Sequence, residues 1–162
     1  MPLHVTKEDD GRLLQMLSAE LESARNLLQL LEQEHQVLIK GEAEAIRSIS
    51  VHKQTQIKLL SEQLLVRDRF LTAHQLPAGK EGTDLFIQQA PAGSATAKCW
   101  GQVQELATRL NDRNEINGGI VALAQRHVSQ ALNILTCHTE QNSTYGPAGQ
   151  QAGRAPQSLA RA

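Results

Sequence analysis

Leu13-Leu14-Gln15-Met16-Leu17-Ser18-Ala19-Glu20-Leu21-Glu22-Ser23-Ala24-Arg25-Asn26-Leu27-Leu28-Gln29-Leu30-Leu31 decides the fold class. Leu13, Leu17, Leu21, Ala24, Leu28, Leu31 and, further on, Leu38 recur at spacings of three, four or their sum. That is close to the 3.5-residue period of a helix-on-helix seam. Upstream, Thr6 and Asp9 form a capping-box pattern that opens the helix. Lys40 and Gly41 supply the cation and the glycine expected at its end. A second periodic segment follows at once, with Ile46, Ile49, Ile57, Leu60, Leu64 and Leu71 on its stripe. So short a connection makes the two helices antiparallel neighbours.

Pro77 ends the second helix, and residues 77–97 are rich in Pro, Gly, Ala, Ser and Thr around Leu85-Phe86-Ile87. The triplet is too apolar to stay in water, so a short helical turn over residues 83–89 is expected to lay Phe86 on one end of the bundle. A third long helix is predicted over 98–139, with Trp100, Val103, Leu106 and Leu110 leading it. Beyond Glu140 the composition is polar and aperiodic. The expected architecture is all-α: an antiparallel bundle of three long, coiled-coil-like helices over residues 1–140, with a flexible C-terminal tail over 141–162.

Composition excludes several function classes. Aromatic residues make up 2% of the 162-residue chain, and the formal net charge is −1 with both signs interspersed. There is no basic patch for nucleic acid or an anionic membrane. No apolar run approaches the ~20 residues of a membrane span, and residues 1–11 lack the pattern of a signal peptide. The expectation is a cytoplasmic chain without membrane insertion. Cys99 and Cys137 are not in a C-x-x-C pair. On one continuous helix they would lie roughly 55 Å apart, too far for a disulfide, so both read as reduced thiols. No phosphate loop, H-E-x-x-H motif or nucleophile–base pair is present, and nothing calls for a cofactor or metal. His35 on the first stripe reads as a satisfied interior histidine, and Lys53 and Arg67 on the second as snorkelling stems over apolar neighbours.

Two stretches of the distal chain stand out. Asn114-Glu115-Ile116-Asn117-Gly118-Gly119 places asparagines and glycines inside an apolar-periodic helix. Asn114 and Asn117 share a face and suit a polar layer that fixes register. Two glycines inside a helix cost roughly 2 kcal/mol relative to alanine, which calls for a kink or break, a close helix approach, or a partner site. From Ile120 to Leu135 the apolar residues spread over an arc of roughly 180°, where one core face needs ~100°. Packing against both neighbouring helices and an exposed strip for a partner helix both account for that surplus. The second stretch, Thr144-Tyr145-Gly146-Pro147-Ala148-Gly149, puts the single tyrosine on a polar, glycine-rich tail.

Taken together, the leucine-rich first helix, the break at Gly41, Lys53 and Arg67, Trp100, Asn114-x-x-Asn117-Gly118 with Ile120-Val121, Gln130-Ala131-Leu132-x-Ile134-Leu135, and Tyr145-Gly146-x-x-Gly149 resemble the FlgN-type flagellar export chaperones. The resemblance covers nearly the whole chain. It implies a cytoplasmic, substrate-specific chaperone of the flagellar type III secretion system, without enzymatic activity. Such a chaperone would hold C-terminal segments of the hook–filament junction proteins FlgK and FlgL and deliver them to the export gate. By the same resemblance, the grip would be Ile120, Val121, Ala124, Val128, Ala131, Leu132 and Leu135. Asn114, Asn117 and Gly118 form the polar motif, and Tyr145 with Gly146 would dock to the cytoplasmic domain of the gate protein FlhA. The rival reading is a scaffolding coiled-coil protein that self-associates through its seams.

Overall fold

The structure, a computed structural model, describes the backbone of residues 5–143 and the side chains of residues 5–135. Those residues form helices α1 (Lys7–Lys40), α2 (Ala43–Ala73), α3 (Gly79–Gln88) and α4 (Ala95–Ser143), and no strand. The expected all-α bundle of long helices is what the chain forms. It divides into two compact units, Met1–Val121 and Ala122–Ala162, with the division inside α4.

In the first unit, α1 starts on a complete capping box: the Asp9 amide donates to Thr6 Oγ1 at 3.1 Å, and the Thr6 amide donates back to Asp9 Oδ2 at 3.3 Å. It stops at Gly41, whose φ of 70° is left-handed. The Gly41 and Glu42 amides turn back to the Leu38 and Val37 carbonyls, closing a Schellman motif. The end of α2 repeats the device with Gln75 in the left-handed position (φ 59°). There the Leu76 amide donates to the Leu71 carbonyl at 3.0 Å, and the Leu76 side chain is buried. A non-glycine residue in that conformation costs roughly 1–2 kcal/mol, which burial of Leu76 offsets.

The hairpin of α1 and α2 is the most extensive helix pair, and α3 packs on α2. α4 runs parallel to α1: Thr96 lies by the Asp10 carbonyl, Cys99 by Ser18, and Asn117 by Leu31 and Glu34. The core gathers Leu13, Leu17, Leu21, Ala24 and Leu28 of α1 with Phe70 and Leu71 of α2, Phe86 of α3, and Cys99, Trp100 and Leu106 of α4. The α1 seam is therefore the buried one. The stripe expected on α2 is buried only at Leu71, while Ile57 is 45% exposed.

The linker turn expected over 83–89 is a ten-residue helix that begins at Gly79. Its start is set by α2, where Asp68 Oδ1 accepts the Gly79 amide at 2.8 Å. Phe86 is fully buried, as expected, with its ring centroid 5.6 Å from that of Phe70. A Cβ on Gly82 would lie 1.7 Å from the Pro77 carbonyl oxygen, so only glycine lets α3 fold back this tightly. α4 begins at Ala95 rather than at 98, because Ser94 Oγ accepts the Ala97 amide at 3.1 Å as an N-cap.

Candidate functional site

Two polar layers cross the first unit. In the first, Arg67 Nη1 of α2 donates to Glu20 Oε2 of α1 at 2.7 Å, and both side chains are buried. The Arg67 guanidinium lies 5.0 Å from the centre of the Trp100 ring of α4, and Trp100 Nε1 donates to Asp84 Oδ1 of α3 at 2.7 Å. All four helices meet there. Burial pushes the Glu20 carboxyl up to about 6, although Arg67 pulls the other way. Glu20 Oε1 and Arg67 Nε are buried without a hydrogen-bond partner, so one bond carries the charge compensation. Hydrogen bonds from Lys80 and then Trp100 hold the Asp84 carboxyl below its ordinary value.

The second layer is built on Asn117, which is 2% exposed. Its Nδ2 donates to the Leu31 carbonyl at 2.8 Å and to Glu34 Oε2 at 2.9 Å. Its Oδ1 lies 3.1 Å from His35 Nδ1. An amide oxygen only accepts, so the imidazole proton sits on Nδ1. Glu34 Oε1 in turn accepts from Lys53 Nζ at 2.6 Å. Lys53 and Arg67 are thus not snorkelling stems. Their heads turn inward onto carboxylates, because Glu34 and Glu20 occupy the facing turns of α1. Fourteen residues separate the two carboxylates along α1 and fourteen separate the two cations along α2, so one antiparallel register satisfies both pairs. A slip of one heptad would face Glu20 with Leu60 and Glu34 with Ile46, and Arg67 and Lys53 with Leu13 and Leu27, leaving four unpaired charges.

The structure separates the residues of the asparagine–glycine motif. Asn117 is the buried register residue, whereas Asn114 is exposed at the edge of a groove of about 310 Å³ that Leu27, Leu31, Ile57 and Leu110 also line. α4 passes through Gly118 and Gly119 without a break, and a Cβ at either would meet nothing within 4 Å. Neither a break nor a close helix approach within the first unit accounts for the pair. Ile120 is half-buried and Val121 is 39% exposed at the end of this unit.

In the second unit, α4 continues through Ser143. Ala124, Val128, Ala131, Leu132 and Leu135 are exposed there, as are Leu123 and Ile134, and Val128 reaches 60%. At 100° per residue, Ala124, Val128, Ala131, Leu132 and Leu135 fall within an arc of about 100°, about 17 Å long. No ionisable residue lies in that arc; Arg126 points to the opposite side. An apolar helix face of that width matches one face of a second amphipathic helix. Tyr145 and Gly146 lie outside the described residues, as do the side chains of Cys137 and His138; Cys99 is a buried free thiol.

Among the described residues, no group of three or more His, Cys, Asp or Glu side chains could hold a metal, and no helix is long and apolar enough to cross a membrane. The partners of Lys53 and Arg67 do not follow from their local pattern; the sequence signal for them is the equal spacing of Glu20 and Glu34 with Lys53 and Arg67. A family model described as FlgN protein matches residues 9–153. No curated protein and no solved structure is significantly similar to the chain.

Proposed function

The chain belongs to the FlgN family of flagellar export chaperones, and from that premise we propose that it holds C-terminal segments of the junction proteins FlgK and FlgL in the cytoplasm and delivers them to FlhA. The observation that carries this reading is the exposed, charge-free apolar arc of α4 from Ala124 to Leu135. Junction proteins that polymerise through apolar terminal helices would associate prematurely if those helices stayed uncovered. Laying such a helix on the arc removes apolar surface from water at ~25 cal/mol per Å². Ordering costs on both sides leave a reversible complex. Tyr145 then connects loading to the gate by inserting its ring into a pocket of the FlhA cytoplasmic domain, with Gly146 allowing close backbone approach. Binding and release do the work, and no nucleotide is used.

Calorimetric titration with the isolated C-terminal segments of FlgK and FlgL tests the grip. Saturable one-to-one binding that Val128→Asp abolishes, with helicity retained, supports it. Undiminished binding by Val128→Asp places the grip elsewhere. Tyr145→Ala is expected to keep cargo affinity and weaken capture by the FlhA domain.

A further inference from the structure

Asn117 is the one asparagine of the chain that is followed by glycine. Such a pair is the sequence most open to deamidation, because glycine sets no side chain against attack by its own backbone nitrogen on the asparagine side chain. Here the reactive pair sits in the polar layer that seats α4 on α1. Asn117 Nδ2, which would leave as ammonia, is held by the Leu31 carbonyl at 2.8 Å and by Glu34 Oε2 at 2.9 Å. Its Oδ1 is tied to His35 at 3.1 Å, so the side chain is fixed through both of its polar atoms. It is 2% exposed, and the continuous helix binds the Gly118 N–H to a carbonyl one turn back. The closed layer thus keeps the nitrogen and the side-chain carbon apart and excludes water. Gly118 itself has no packing role, since a Cβ there would meet nothing within 4 Å. With Gly119 it weakens the helix just before Val121, where the first unit ends. Opening at that point is local and takes less free energy than unfolding the whole unit.

We propose that Asn117 is a modification site gated by the α1–α4 contact, deamidating through a succinimide when α4 lifts from Leu31 and Glu34. The Gly118 nitrogen bonds to Asn117 Cγ and gives up its proton, and the Cγ–Nδ2 bond breaks to release ammonia. Water then opens the ring at either carbonyl. One route leaves aspartate; the other leaves isoaspartate, with one extra methylene in the backbone. Neither product seats as asparagine does. A carboxylate has no proton to donate to the Leu31 carbonyl, and it would stand against the Glu34 carboxylate where Nδ2 now lies. The isoaspartyl backbone also breaks the helical repeat. An opening that ends in reaction is therefore irreversible, and the site records how often α4 has come off α1.

Mass spectrometry of the full chain, incubated at mildly alkaline pH both folded and in unfolding urea and then digested with trypsin, tests the proposal. The peptide spanning 114–126 carries Asn117 and, as an internal control, Asn114, which precedes Glu115. Deamidation at Asn117 is expected to run at least about tenfold faster in urea than in the folded chain, and to outpace Asn114 there. Gly118→Ala, which the open space accommodates, is expected to slow the reaction in urea severalfold. His35→Ala removes one neutral bond from the layer and is expected to speed the folded-state reaction about fivefold, with circular dichroism confirming its helix content. Asn117→Asp, which copies the aspartate product, is expected to unfold at lower urea than Asn117→Ala. Equal rates in urea and in the folded chain overturn the proposal, as does a folded-state rate that His35→Ala leaves unchanged. So do an Asn117 that survives urea intact, a rate in urea that Gly118→Ala does not slow, or an Asn117→Asp variant as stable as the wild type.

Discussion

Replacing Asn117 by alanine removes three hydrogen bonds at once: two donated by Nδ2, to the Leu31 carbonyl and to Glu34, and one accepted by Oδ1 from His35. A neutral bond contributes roughly 1 kcal/mol and one to an ionised group roughly 2 kcal/mol, so the loss comes to about 4 kcal/mol. Alanine regains about 0.6 kcal/mol of helix propensity, which leaves a net cost of about 3 kcal/mol. Asn114, three residues earlier, makes no hydrogen bond and stands exposed. Asn114→Ala should therefore be neutral or stabilise by about 0.5 kcal/mol. Urea unfolding followed by helical ellipticity reads both variants. With a slope of roughly 2 kcal/mol per molar, Asn117→Ala should move the midpoint down by about 1.5 M, and Asn114→Ala should leave it in place or raise it slightly. If the two variants shift the midpoint alike, or if Asn117→Ala costs less than about 1 kcal/mol, the register layer built on Asn117 is not what holds α4 to α1.

Glu20 gives the fold a pH dependence of definite sign. Its carboxyl titrates near 6 in the folded protein and at an ordinary carboxylate value when unfolded, so its contribution is present below about 4.5 and lost as pH rises through about 6. The amount is about 2 kcal/mol, and the wild-type urea midpoint minus that of Glu20→Gln should fall over this interval; a difference flat in pH would refute the assignment. Gly82→Ala forces a Cβ onto the Pro77 carbonyl and should cost at least about 2 kcal/mol by overpacking. A thermal melt of that variant matching the wild type would show that the α2–α3 turn yields easily.

The α1 seam was legible because each of its residues obeys a local period and the helix caps itself with neighbouring residues: Thr6 and Asp9 at one end, Gly41 at the other. α3 was legible only as a turn, since it opens Gly79-Lys80-Glu81-Gly82 and its cap comes from Asp68 on another helix. Phe70 and Leu76 entered the core unannounced because α2 buries its C-terminal end rather than its whole stripe. Within the candidate site, the asparagine motif was visible, but its asymmetry was not. Which of two residues on one face turns inward depends on where Glu34 and Leu31 lie, 83 and 86 residues away in the chain. The pairing of Lys53 and Arg67 is hidden from the local sequence for the same reason. A long cationic side chain has the same local signature whether it snorkels or pairs.

The two ion pairs between α1 and α2 also bear on how the chain tolerates change at the hairpin tip. Their spacing alone aligns the helices, so the turn at Gly41 serves as a tether and not as a gauge. Lengthening a tether costs only loop-closure entropy, about 0.6 kcal/mol for each doubling. Extra residues between Lys40 and Ala43 would then loop out while Glu20 and Glu34 kept the partners they have. Even cut at the tip into two polypeptides, α1 and α2 would retain the information needed to find the same alignment.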